Sequence, residues 1–339
     1  MAKLIPANLN PPILLWLLNP LSHLNYYTAL GLWSALSLIL GLVGAGIGFS
    51  YAFPRAFLRR NGFYLYLIYL SFFATLMNTA LGQLGSLLLF LIMSGYHYYM
   101  KKNDYAAGVL WGIIISIKLF PALLFVYVVL QKRYKVSMVM LSTFLLMALI
   151  PMFVYGNIIY TQYFSMMSQV LWYGKSWNGS IFGFVFRVFS DGTNSGQNLL
   201  FVNGLYITLF CITAIFYLVK MIEIEKMKIV HQSFCLSLVV MLLLSPFGWL
   251  YYFTILTFPF ALTWNHAVQS NRSLLFAKPA WFLCLCCLNV PINNIPLGLM
   301  KSMIDKLSIY SLNFYGLLLL LYMTSQMTTN VKHLQSFNK

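Results

Sequence analysis

The chain has 339 residues, of which 61% are hydrophobic and 8% are charged, and its mean hydropathy is +0.80. Soluble domains carry about 25% charged residues, so this composition excludes a soluble globule. It predicts an all-α, polytopic membrane protein with about ten to twelve membrane segments. The net charge of +16 comes from cations scattered in small groups between apolar runs, which argues against nucleic-acid binding and is typical of short cytoplasmic loops.

The first membrane segment in chain order is too short to cross a bilayer. After a proline-rich start, the apolar run from Ile13 to Leu18 stops at Asn19-Pro20, which predicts a dipping or interfacial helix. The chain then reads as a single integral membrane domain over 1–339. Further spans are predicted at about 26–48, 62–80, 82–100, 136–155, 203–219, 232–250, 250–265, 279–297 and 308–325.

Residues 105–131 form either one 27-residue helix or a broken hairpin, because Lys118 and Pro121 interrupt the apolar run. The hairpin places most of the 21 Lys and Arg residues on one side of the membrane, whereas a single helix divides them nearly evenly. The positive-inside rule therefore favours the hairpin. It also predicts an external N-terminus, a cytoplasmic C-terminus and a cavity near Lys118. An external start with no preceding span indicates that something upstream is missing from this chain.

The longest predicted external loop, 156–202, contains aromatic residues at near-helical spacing, which predicts a helix lying in the outer headgroup layer. Arg187, in this loop, could hold a phosphate through two N–H groups or anchor the loop by pairing with Asp191. Lys118 could act in the cavity or extend to the outer headgroups.

Two other predicted external turns contain candidate substrate contacts. Gln83 could hydrogen-bond a hydroxyl-rich substrate or cap the following helix. Trp249, with Tyr251 and Tyr252, could stack on a sugar or belong to an ordinary interfacial aromatic belt. The five cysteines lie in apolar runs without metal-ligand spacing, so neither a metal nor a cofactor is expected. No carboxylate or histidine stands out as a general base.

Five segments resemble glycosyltransferase family 87, a family of GT-C type enzymes that use polyprenyl-phosphate sugars. They are NLNPPILLWLLNPL (8–21), ALGQLGSLLLF (80–90), AAGVLWGIIISIKLFPALLFVYVVLQKRYK (106–135), SWNGSIFGFVFR (176–187) and SPFGWLYY (245–252). The resemblance implies a multi-pass cell-membrane enzyme that moves a hexose, often mannose, from a polyprenyl-phosphate donor to a glycan or glycolipid acceptor on the non-cytoplasmic face. It implies no metal and no cofactor.

The resemblance also implies roles for individual residues. Lys118 and Arg187 would neutralise the donor phosphate, an electrostatic role suited to the leaving group. The residues implied to bind substrate are Asn10, Gln83, Asn178, Trp249 and Tyr252. No catalytic residue is assigned, although Tyr251 is a candidate base. Many members have His where this chain has Tyr251 or Tyr252.

The sequence departs from the family pattern in two ways. The acidic residue of a first external loop is absent because the chain begins just before Asn8, and a tyrosine is a poor base at neutral pH. Three alternatives therefore stay open: a truncated start, a separate chain that supplies the missing span, or an inactive relative that binds or transports lipid-linked sugar.

Overall fold

The computed structural model describes residues 10–168, 174–189, 199–269, 274–289 and 311–327. These ranges are mostly α-helical and contain no strand beyond an isolated bridge, so the all-α prediction is confirmed for this part of the chain. The helices, α1 to α15 in chain order, are Ile13–Ser22, Tyr26–Ala52, Arg55–Ser71, Phe73–Ala80, Gly85–Met100, Asp104–Ile117, Leu123–Leu130, Tyr134–Tyr155, Ile158–Ser168, Ile181–Phe189, Leu199–Lys226, Val230–Leu244, Thr257–Gln269, Leu274–Leu288 and Leu312–Ser325. Two 3-10 segments, Phe120–Ala122 and Leu250–Leu256, precede α7 and α13.

Three helices in the described ranges, α2, α8 and α11, have the length and apolar composition to cross a membrane. The α3–α4 pair meets the same test but is bent by 59°, so the predicted span 62–80 is not a straight helix. At the bend, the amide of Phe73 donates a hydrogen bond to Asn289 Oδ1 at 2.5 Å. Because Asn289 lies 216 residues further along the chain, local sequence gives no sign of the bend.

The chain divides into two compact units, the first comprising 1–36 with 94–172 and the second 37–93 with 173–339. In the first unit, α6 packs closely along α8 because two glycines let the backbones approach. A Cβ added at Gly108 would lie 2.6 Å from Val139, and one at Gly112 would lie 2.6 Å from Thr143. Residue numbers rise together along both helices, so α6 and α8 run parallel.

Parallel packing of α6 and α8 requires the chain between them to reverse direction. Arg133, just before α8, forms an ion pair with Asp104 at the start of α6. A single helix over 104–133 would separate these two residues by about 43 Å. Further along, the rings of Trp111 in α6 and Tyr127 in α7 have centroids 6.2 Å apart. These contacts confirm the predicted hairpin.

The tip of the hairpin is at Lys118 and Leu119, between α6 and the 3-10 segment. The 14 residues of α6 rise about 21 Å, which is less than the ~30 Å hydrocarbon core of a bilayer. The backbone of Lys118 leaves the helical conformation there, with φ −145° and ψ 131°. The hairpin therefore turns back before it could cross a bilayer.

The second unit is built around α12, most of whose side chains are buried. This helix packs against α11, α13 and α15, while α4 packs against the 3-10 segment Leu250–Leu256. The hydroxyl oxygens of Tyr217 in α11 and Ser237 in α12 are 2.8 Å apart. The antiparallel α11–α12 pair thus places the C-terminal end of α11 at the opposite end of α12 from Ser245.

Candidate functional site

The site in the second unit begins with the cap of helix α10. Ser180 precedes this helix, and its hydroxyl oxygen accepts a hydrogen bond from the Gly183 amide at 3.1 Å, which is a serine N-cap. The buried side chain of Asn178 orients the cap, because its Oδ1 accepts from the Ser180 amide at 3.1 Å and the Ser180 hydroxyl at 2.8 Å. The sequence Trp-Asn-Gly-Ser thus forms a rigid entry to α10.

Asn178 also joins this entry to the turn that follows α12. Its Nδ2 donates to the Pro246 carbonyl at 2.8 Å, and two backbone hydrogen bonds extend the link. The Gly179 amide donates to the Gly248 carbonyl at 2.9 Å, and the Leu250 amide donates to the Trp177 carbonyl at 2.8 Å. A Cβ at position 248 would lie 2.6 Å from the Leu242 carbonyl oxygen, so the close approach requires glycine.

Arg187 in α10 donates its hydrogen bonds to oxygens of neutral groups. Its Nε and Nη2 donate to the Ser311 hydroxyl at 2.7 and 2.5 Å. Nη1 donates to the Lys175 carbonyl at 2.6 Å and to Gly174 at 3.4 Å, and Nη2 also donates to Asn178 at 3.1 Å. Burial lowers the pKa of the guanidinium to about 10, so it remains charged at neutral pH. Arg187 therefore fixes the 174–178 segment and leaves a positive charge without a carboxylate partner among the described residues.

The turn after α12 carries a ladder of aromatic rings. The centroids of Phe247 and Trp249 are 6.0 Å apart and those of Trp249 and Tyr251 are 6.4 Å apart, with nearly parallel planes. Tyr252 meets Tyr251 edge-on at 4.6 Å and is buried. The predicted aromatic cluster therefore has an ordered geometry, in which Tyr252 supports the stack from within the core and Tyr251 remains partly exposed.

Gln83 occupies the turn between α4 and α5. Its amide donates to the Asn78 carbonyl at 2.8 Å, and the Gly82 amide donates to Thr79 at 3.2 Å. Together with the left-handed backbone of Gly82, at φ 58°, these bonds form a Schellman C-cap. A Cβ at Gly85 would contact the Tyr251 carbonyl, so this turn packs beside the aromatic ladder. The side chain of Gln83 is partly exposed.

The other two predicted site residues, Lys118 and Asn10, belong to the first unit. Lys118 is partly buried at the tip of the hairpin. Asn10 lines a cavity of about 420 Å³ together with Asn19, Ser22 and Tyr155. Helix α1, which follows Asn10, packs on α6 and α8, the two helices that form the core around the hairpin.

The sequence did not indicate Ser311 as part of the site. Its hydroxyl accepts a hydrogen bond from Arg187, which is 124 residues away along the chain. Ser311 adopts a left-handed backbone at φ 62° just before α15, and no motif marks it. Asp191, the alternative partner predicted for Arg187, lies outside the described residues. The described residues contain no group of three His, Cys, Asp or Glu side chains that could hold a metal ion.

The first unit has a hairpin with a lysine at its tip, and the second has Arg187 linked through Asn178 to the turn of the aromatic ladder. With the long apolar helices, these features are those of a polytopic membrane protein. The chain belongs to glycosyltransferase family 87, whose family model matches residues 8–246. This confirms the resemblance found in the sequence and makes the protein a membrane glycosyltransferase by family. No curated protein and no solved structure matches the chain.

Proposed function

We propose that the protein transfers a hexose such as mannose from a polyprenyl-phosphate donor to a glycan or glycolipid acceptor on the non-cytoplasmic face of the cell membrane. The observation that best supports this reaction is the charge of Arg187, which neutral oxygens hold beside an aromatic ladder. A fixed positive charge favours the binding of a phosphate, and the partly exposed ring of Tyr251 favours the apolar face of a sugar.

The proposed step breaks the bond between the sugar C1 and the donor phosphate oxygen and forms a bond from C1 to the acceptor oxygen. The acceptor hydroxyl loses its proton, and the leaving polyprenyl phosphate gains one negative charge. Positive charge near that phosphate therefore stabilises the transition state more than the bound substrate. We assign this role to the Lys118 ammonium, at the tip of the hairpin in the first unit.

Arg187 acts in the same reaction through its charge and through position. The N–H groups of Arg187 already donate to Ser311, Gly174, Lys175 and Asn178. A bidentate hydrogen bond to a phosphate would therefore require some of these bonds to break. The charge of Arg187 remains available at a distance. We therefore assign Arg187 a positioning role toward the 174–178 segment, in addition to its favourable potential for the donor phosphate.

The remaining proposed substrate contacts differ in exposure. Gln83 and Tyr251 are partly exposed and are suited to direct contact with a sugar, whereas Trp249 is buried and supports Tyr251 from within the stack. Asn178 and Tyr252 are buried, so they act by holding these groups in place. In the first unit, Asn10 offers an amide to a substrate that enters its cavity.

A sugar-transfer assay with the purified full chain in liposomes tests the proposal, using polyprenyl-phosphate mannose and a glycolipid acceptor. Lys118→Met removes a charge that acts on the transition state, so we expect kcat to fall about 100-fold or more. Lys175→Gln is the matched control, because the Lys175 side chain is exposed and only its backbone carbonyl contacts Arg187. Full transfer by both Lys118→Met and Arg187→Gln would refute the site assignment.

Substitutions at Arg187 separate charge from position. Arg187→Lys keeps the charge but cannot make the forked hydrogen bonds, and Ser311→Ala removes their acceptor while leaving the charge. If position matters, both variants lose transfer. If the charge alone matters, both retain it, and only Arg187→Gln is impaired.

One observation favours a second candidate, a binder of lipid-linked sugar without transferase activity. The carboxylates in the described ranges are Asp104 in α6 and Glu223 and Glu225 near the end of α11. The 15 residues of α12, about 22 Å in length, separate the end of α11 from the aromatic ladder. Among the described residues, Tyr251 is then the remaining candidate base at the ladder. Donor binding without product formation, in the same liposomes, would favour this second candidate.

A further inference from the structure

An apolar groove lies in the second unit, along helix α3 from Phe57 to the bend at Phe72. Helices α3, α13 and α14 line this groove of about 320 Å³, which is within the size range of small-ligand pockets. Its walls are largely aromatic and include Phe57, Tyr64, Phe260, Trp264, Trp281 and Phe282.

The aromatic wall is held rigidly by contacts among its own members. The Trp264 and Trp281 rings have centroids 4.8 Å apart, and the Phe260 and Trp281 rings are 5.8 Å apart. The indole N–H of Trp281 donates to the Phe260 carbonyl at 3.1 Å. The wall therefore keeps its shape without a bound ligand. The indole N–H of Trp281 is already used by the Phe260 carbonyl and does not bind a ligand.

The amide of Asn61 and the hydroxyl of Thr257, two polar groups of the groove, are bonded to nearby backbone carbonyls. Asn61 Nδ2 donates to the Phe57 carbonyl at 3.2 Å, and the Thr257 hydroxyl donates to the Thr254 carbonyl at 2.6 Å. A sugar or another polar occupant would lose its hydrogen bonds to water and gain few in return. The groove chemistry therefore favours a hydrocarbon chain.

Two of the helices that line the groove, α3 and α14, carry exposed cations in their first two turns. Arg60 lies three residues after Phe57 and four before Tyr64, and Lys278 lies three residues before Trp281, so both cations share a helix face with wall residues. Both side chains are exposed. Arg55 and Arg59 add charge to the same turn of α3, and all of these cations lie on the side predicted to be cytoplasmic.

We propose that this groove binds one acyl chain of an anionic phospholipid, whose headgroup phosphate contacts Arg60 and Lys278. The aromatic wall is suited to the hydrocarbon chain, and the exposed cations on α3 and α14 are suited to the phosphate. The site is separate from the transfer reaction, because none of the residues that line the groove is a proposed substrate contact. It does not depend on the proposed function.

Lipid titration of the detergent-purified full chain, followed by native mass spectrometry, tests this site with phosphatidylglycerol and with phosphatidylcholine of the same acyl chains. We expect phosphatidylglycerol to bind more tightly. Ala261→Phe places a ring in the groove, where Ala261 forms part of the wall, and is expected to reduce bound phosphatidylglycerol at least ten-fold. The matched control is Leu141→Phe, on an exposed position of α8, which is expected to bind normally.

A surface variant keeps the test independent of folding in the core. Arg60→Gln combined with Lys278→Gln is expected to weaken phosphatidylglycerol binding about 30-fold, since each cation near a lipid surface contributes about five-fold. Lys101→Gln with Lys102→Gln, on the turn before α6, is the control and should have no effect. Equal binding of the two lipids, normal binding by Ala261→Phe, or displacement of phosphatidylglycerol by polyprenyl phosphate would each overturn the proposal.

Discussion

Replacing Asn178 with alanine removes the side chain that joins the entry of α10 to the turn after α12. The change deletes three hydrogen bonds, at 2.8, 2.8 and 3.1 Å, from a residue with 0% exposure. It leaves the amide and the hydroxyl of the buried Ser180 without these partners, and it also frees the Pro246 carbonyl. Each buried group that loses its partner costs about 1–3 kcal/mol, so we expect Asn178→Ala to destabilise the protein by about 3 kcal/mol.

Thermal unfolding of the purified protein in detergent measures this loss. A destabilisation of about 3 kcal/mol is expected to lower Tm by about 4 °C in a chain of this length. Asn265→Ala is the matched control, because Asn265 only accepts a hydrogen bond from the exposed Gln269. Its effect should stay within about 0.5 kcal/mol. An unchanged Tm for Asn178→Ala would refute the view that this side chain locks the two segments together.

Three glycine positions give further predictions. Gly112→Ala forces a Cβ to within 2.7 Å of the Met140 carbonyl oxygen, and should lower stability by about 1–3 kcal/mol. Gly31→Ala, in helix α2 with open space around the position, should be neutral or stabilising. Gly82→Ala places a side chain at φ 58° and should cost about 1 kcal/mol, whereas Gly82→Asn should cost less. Thermal unfolding checks all four variants, and equal effects of Gly112→Ala and Gly31→Ala would contradict the close packing of α6 on α8.

The hairpin was predictable because two local signals and one global signal agree. Lys118 and Pro121 interrupt an apolar run, and the distribution of cations requires the chain to return to the side from which it entered. The structure adds the contacts that hold the reversal together, from Asp104 to Arg133 and from Trp111 to Tyr127. The two residues of each pair lie at nearly equal distances in sequence before and after the turn. Their residue types alone, however, do not indicate that they are in contact.

The internal support of the site was not predictable because it depends on residues distant in sequence. The sequence suggested a phosphate or Asp191 as the partner of Arg187, whereas the structure gives it the Ser311 hydroxyl and three backbone carbonyls. Likewise, the bend between α3 and α4 depends on Asn289, and no glycine or proline marks it. Hydrophobic patterning identifies helices, but it does not specify which polar side chain reaches a distant backbone group.

The most direct test of the account is the location of the hairpin tip relative to the two sides of the membrane. In a chain whose five cysteines are replaced, single cysteines are introduced by Leu119→Cys, Lys102→Cys and Lys132→Cys and treated with a membrane-impermeant maleimide. Leu119 is 49% exposed, so its variant is expected to react in intact cells, whereas the other two should react only after permeabilisation. Reaction of the Lys102→Cys and Lys132→Cys variants from opposite sides of the membrane would contradict the account.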